Sequence, residues 1–276
     1  MDEKFNTLAI RSSVSSLWLT PPMDMASRTQ YCVDSTRELI ASRDTGYIFF
    51  RADDVVVPGK SLARLMELFT QYSVPLSLAV IPAWLTKPRW RQLKELGKKA
   101  PSLWCWHQHG WRHANHECQG KKQEFGQSRS PSQIKKDLVK GKRRLEMYMG
   151  KDFYPVFTPP WNRCSNVALK IIKELEYHAI SRSQGSVPPT PEGLADFQMN
   201  VDLHTRKELQ PNESLNHLLA ELKGSLLSGS CGIMIHHRQM NEAAFSFLNF
   251  LLSILVRWRG LNFVHFEDLV QHKEIQ

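Results

Sequence analysis

Cysteine is scarce in this sequence and forms no pattern. Cys32, Cys105, Cys118, Cys164 and Cys231 are odd in number, widely spaced and contain no CxxC pair. That excludes a disulfide framework and a zinc ribbon, and it points to a reducing compartment. Cys105 and Cys231 lie in apolar runs and read as buried filler rather than nucleophiles. No stretch of about 18 apolar residues exists, so no transmembrane helix is expected. The longest candidate, Phe245 to Val256, is too short and carries Asn249 and Ser253. The N-terminus starts acidic and lacks an apolar core, which makes a poor signal peptide and predicts a cytoplasmic protein. There is no internal repeat and no low-complexity tract.

Acidic residues are outnumbered, 27 against 36 basic ones, for a net charge of +9. The basic residues are spread over Lys87 to Arg91, Lys94 to Lys99 and Lys135 to Arg144. They fall on the polar faces of expected surface helices. A solvated face is the preferred reading over a phosphate-tracking groove, so no nucleic-acid partner is expected.

With 276 residues, 42% of them hydrophobic, the chain can bury a full core as a single domain. Residues 1–44 read as an arm, irregular to about residue 26, and a helix over Ser27 to Ser42. From residue 45 to 276 apolar runs alternate with amphipathic ones. Expected strands are Tyr47 to Arg51, Pro75 to Ile81, Leu103 to His107, Tyr154 to Phe157, His178 to Ser181, Phe197 to Val201, Cys231 to Ile235 and Asn262 to His265. Helices are expected between them, including one from Ser132 to Met149 and one capped by Ser165. This alternation implies an α/β fold with a parallel sheet covered on both sides. Seven or eight such units suggest a closed barrel, whose chemistry sits at the C-terminal ends of its strands.

Polar residues cluster at those ends. Asp53 and Asp54 follow the first strand. Adjacent carboxylates there are costly unless hydrogen-bonded or bound to a metal, although a turn or cap would also use them. His107, His109, His113 and His116 lie within ten residues after the third strand. His109 and His113 share one face if this segment forms a helical turn, a spacing that suits one divalent ion. Trp104, Trp106 and Trp111 supply apolar bulk around them. Two histidines and a carboxylate leave open positions for water and substrate, and the set suits zinc first, then nickel, cobalt, iron or manganese. Phe157-Thr-Pro-Pro-Trp161-Asn162-Arg163 gives a rigid, extended loop with a flat wall on which sugars pack. His236 and His237 leave a buried strand where a histidine can move a proton near neutral pH. Glu124 and Phe125, in the loop after the histidines, are read from location alone as specificity residues. His107 and His116 are candidates to support the ligands.

Taken in order, these segments resemble the NodB-homology polysaccharide deacetylases, the fourth family of carbohydrate esterases. Its signatures are TFDDG, HSxxH, RxPxG, a later Asp segment and LLH. The resemblance spans Phe49 to His237. It implies a distorted (β/α)7 barrel. It implies Asp53 as general base, Asp54, His109 and His113 as metal ligands, and His236 as the acid, with His237 as alternative. Pro160, Trp161, Asn162 and His237 would line the substrate groove. Three departures stand out. Arg51-Ala52 replaces Thr-Phe, Val55 replaces Gly, and Thr158 stands where the family has the Arg that orients the base; Arg51 and Arg163 are candidates to replace it. Asp202 is the candidate for the later Asp. The expected function is removal of an acetyl or similar acyl group from an amino sugar or polysaccharide-like substrate. Two alternatives remain: hydrolysis of a small cytoplasmic amide on the same fold, or glycan binding without catalysis.

Overall fold

The computed structural model describes residues 14–40 and 46–274. Part of the expected arm, residues 1–13, and the expected end of the first helix at Ser42 lie outside the described residues. The arm is not irregular throughout. A short helix α1 (Ser16–Leu19) precedes α2 (Met25–Leu39). Leu17 and Trp18 of α1 and Val33 of α2 are buried in the main core. Apolar side chains on so short a segment hold it by packing rather than by helix propensity.

The barrel follows as β1 (Tyr47–Val55), α3 (Lys60–Tyr72), β2 (Leu76–Val80), α4 (Lys87–Leu96), β3 (Trp104–His109), α5 (Pro131–Met149), β4 (Phe153–Thr158), α6 (Asn166–Glu174), β5 (Ala179–Ile180), β6 (Ala195–Asp196), β7 (Val201–Asp202), α7 (Pro211–Leu227), β8 (Ser230–Ile235), α8 (Glu242–Leu255), β9 (Asn262–Val264) and α9 (Phe266–Glu274). Helix starts follow side-chain chemistry. Ser130 and Gln133 form a capping box on α5, and the Ser165 hydroxyl accepts from Ala168 N on α6. Among the described residues, no helix is long and apolar enough to cross a membrane.

All the strands pair in parallel, in the order β6-β5-β4-β3-β2-β1-β8-β7, with β9 added against β1. The central strands are buried on both faces, which is why they read as continuous apolar runs. The expected strand Phe197 to Val201 does not form as one strand: it lies between β6 and β7, and only Val201 belongs to β7. The reason lies in its hydrogen bonds. Phe197 and Met199 donate to Ile180 and Arg182 on one side, whereas Asn200 and Leu203 donate to Gly232 and Met234 on the other. One segment thus serves both edges of the sheet and curls it into a distorted barrel, without staying in register with either edge.

Candidate active site

β1 and β3 both run further than their apolar cores suggest, and their last residues carry the site. β1 loses register with β2 between Ala52 and Val55. In a regular strand Asp53 and Asp54 would point to opposite faces. Asp54 instead takes φ 60°, a left-handed conformation that Asp tolerates better than most residues. The kink lets both carboxylates serve the same mouth of the barrel.

Asp54 Oδ1 lies 3.4 Å from His109 Nε2 and 3.4 Å from His113 Nε2. One ligand atom from each of the three residues falls within a group 4.8 Å across. The expected helical turn does not form. His109 ends β3, Gly110 takes φ 57°, and His113 takes φ 59°. The two imidazoles converge because the chain doubles back, with ring centroids 5.1 Å apart. His109 Nδ1 bonds the Thr158 carbonyl at 3.0 Å. A carbonyl only accepts, so Nδ1 carries a proton and Nε2 is the ring atom turned to Asp54. Burial and the neighbouring His109 push His113 down to about 4, so His113 is neutral near pH 7. Asp54 Oδ1 is buried and has no hydrogen-bond partner. Two imidazole nitrogens converging on a carboxylate oxygen that has no hydrogen bond make a donor set that fits a cation.

Asp53 is bound differently. Arg51 Nε and an Nη reach its two oxygens at 2.7 and 2.8 Å, and both side chains are shut off from water. Burial alone would raise the Asp53 carboxyl, but Arg51, His109 and His236 outweigh it and hold the group below the usual carboxylate range. His236 Nε2 stands 3.9 Å from Asp53 Oδ2. Its backbone N–H donates to His204 Nδ1 at 3.2 Å.

A model of the polysaccharide deacetylase family matches residues 42–180 of the chain. The chain belongs to the polysaccharide deacetylase family. As such it is a hydrolase. Solved structures agree on the fold. A Mycobacterium smegmatis protein named as a polysaccharide deacetylase superposes with TM-score 0.66 at 13% identity, covering 85% of this chain and 92% of that one. The Bacillus subtilis peptidoglycan deacetylase PdaC gives 0.52 at 12%, covering 84% and 94%. A family 4 acetyl xylan esterase from Clostridium thermocellum, in complex with a cobalt ion, gives 0.50 at 16%, covering 83% and 92%. Curated proteins gave no match.

In this deacetylase the remaining expected residues are placed unevenly. The Trp161 ring packs 4.5 Å from that of His113 and is half-buried. The loop is not simply extended, because Trp161 and Asn162 both take positive φ. Asn162 Oδ1 accepts from Arg51 at 2.7 Å, which ties the loop to the Arg51–Asp53 pair. Pro160 is buried, packed where a Cβ on Gly110 would meet its ring, and so does not face a groove. His237 is buried as well, at 4% exposure, whereas His236 remains open. Asp202 is taken up by its own turn, accepting from the backbone of His204 and Thr205. Arg163 reaches the Lys122 carbonyl rather than Asp53, so of the two candidates Arg51 is the guanidinium that pairs with Asp53. Thr158, in place of the family Arg, bonds His107 at 2.9 Å. Glu124 is fully buried beneath the histidine loop and does not face a substrate. Sequence spacing gave no sign of that placement.

Proposed function

We propose that this deacetylase removes an acetyl or similar small acyl group from an amino sugar or polysaccharide-like substrate, using one divalent metal ion held by Asp54, His109 and His113. The observation that carries the reading is the buried, unpartnered Oδ1 of Asp54, facing the Nε2 atoms of two histidines at 3.4 Å. A facial set of two imidazoles and one carboxylate suits zinc and leaves room for substrate; cobalt, nickel, iron and manganese accept the same donors. When bound, such an ion supplies Lewis-acid chemistry, polarising a carbonyl and making a water acidic near neutral pH.

The protein's own groups do the rest. Asp53, ionised and clamped by Arg51, takes a proton from the attacking water. His236, partly open at the mouth, gives a proton to the departing nitrogen as the C–N bond breaks. The products are a small acid and a free amine. Trp161 and Asn162 form one side of the substrate groove. The family name and the peptidoglycan and xylan relatives support a sugar substrate.

Two measurements on protein purified without a histidine tag test this. Elemental analysis is expected to find about one transition-metal ion per chain in wild type and none in His109→Ala/His113→Ala. Acetate release from N-acetylated glucosamine oligomers is expected from the loaded wild type alone. No metal in wild type after incubation with zinc, cobalt or nickel would overturn the proposal. Metal without hydrolysis of any acetylated sugar or small amide would leave a glycan-binding protein.

A further inference from the structure

We infer that Glu124 is a positioning residue for the metal loop, holding His113 in its ligating place before any ion arrives; this rests on the metal reading proposed above. Glu124 is fully buried. Its Oε2 accepts from Trp111 N at 3.0 Å and His113 N at 3.2 Å, and its Oε1 accepts from Arg112 N at 2.6 Å. Three successive amides thus converge on one side chain, an anion-binding nest filled from within.

The loop needs such a partner. Once β3 ends at His109, the chain leaves the ladder, and the Trp111 amide lies in a buried stretch where an orphaned N–H is costly. Gly110 makes the approach feasible. It takes φ 57°, and a Cβ there would sit 2.2 Å from Glu124 Oε2. The Gly110 carbonyl is held from the other side by the Gln108 amide at 2.9 Å. His113 itself takes φ 59°, a sparsely populated conformation for a residue with a side chain.

Glu124 is fixed in turn. Its neighbour Phe125 is fully buried and packs edge-on against Phe157 at 5.5 Å. The Phe125 carbonyl accepts from Ser165 N at 2.8 Å, which joins the loop to the start of α6. The carboxylate therefore stands on the core and reaches up to the loop backbone. The geometry sets His113 through its own amide.

The test compares wild type with Glu124→Gln, which keeps the shape but turns one acceptor into a donor facing the loop amides. Metal-free protein is titrated with cobalt alone, followed by calorimetry and by the visible absorption of the ion, with circular dichroism and a melting curve as controls for fold. Glu124→Gln is expected to stay folded and bind cobalt about 10–100-fold more weakly, with an altered spectrum. Affinity within twofold of wild type and an identical spectrum would overturn the inference. Wild type that binds no cobalt would overturn the metal proposal itself, a separate failure. If Glu124→Gln does not fold, hydrogen exchange in metal-free wild type decides. The amides of Arg112 and His113 are expected to be protected like the core strands, and exchange at free-loop rates would overturn the inference.

Discussion

Arg51 and Asp53 stand two residues apart on β1 and pair through two bonds in the dry interior of the barrel. Residues i and i+2 share one face of a strand, so the pairing follows from their spacing. Arg51 also donates to the Ser181 carbonyl at 3.0 Å and hydroxyl at 2.8 Å, and to Asn162 at 2.7 Å. It therefore ties β1, the residue after β5 and the Trp161 loop together around Asp53. Removing one partner of a buried pair leaves an uncompensated charge. Arg51→Ala is expected to lose about 3–5 kcal/mol of stability in urea unfolding. Arg51→Lys keeps the charge but not the fork. It is expected to fold, to retain metal and to lose turnover mainly in kcat. Wild-type kcat in Arg51→Lys would show that the base needs no orientation from the guanidinium.

The two adjacent aspartates are expected to separate by assay. Asp54→Asn is expected to weaken the proposed metal site, so bound ion and activity should fall together. Asp53→Asn should keep its ion and lose turnover by roughly 100- to 10,000-fold, the range for a general base. It also breaks the Arg51 pair, so a lower melting temperature is expected with it. Retained turnover in a folded, metal-loaded Asp53→Asn protein would remove Asp53 from the role of base.

Much of this arrangement was legible in the sequence. Parallel strands buried on both faces give uninterrupted apolar runs, and the polar residues beyond them mark the working end of the barrel. Asp54, His109 and His113 are recognisable by type and place. Their geometry was not. A spacing of four suggests a helical turn, whereas the loop is shaped by positive φ at Gly110 and His113 and by a carboxylate eleven residues beyond His113. Contacts made by a distant loop leave no periodicity to read. The placing of Phe197 to Val201 between β6 and β7 was equally hidden, because barrel closure depends on which edges the segment meets.

His236 and His237 are adjacent, yet the structure sets them in different surroundings. His236 is partly open and faces Asp53, whereas His237 is buried. His236→Ala is expected to slow cleavage of an amide far more than cleavage of an activated acetyl ester, because a good leaving group needs no proton. Comparison of an N-acetyl sugar with a nitrophenyl acetate checks this. Equal losses on both substrates would assign His236 to something other than proton donation.

His204 links the site to stability. It is buried against Trp18, with ring centroids 5.8 Å apart, and its Nδ1 accepts the backbone N–H of His236. Its Nε2 is buried without a partner. A second proton, on Nδ1, would face that donor with no acceptor available. Burial first, then His236 and His237, hold its pKa well below the ordinary 6.5. In the unfolded chain the same ring protonates as pH falls through about 6.5. The unfolded state then binds the proton that the folded state refuses. The contribution of neutral His204 is thus complete above about pH 6.5 and is lost as pH falls below it. Urea unfolding of the metal-free protein between about pH 6 and pH 5 should show wild type losing stability more steeply than His204→Gln. The difference expected is about 1 kcal/mol per pH unit, the linkage of one proton. Gln can still accept from His236 N–H but cannot titrate, so parallel curves for the two proteins would mean that His204 takes up its proton in the folded state.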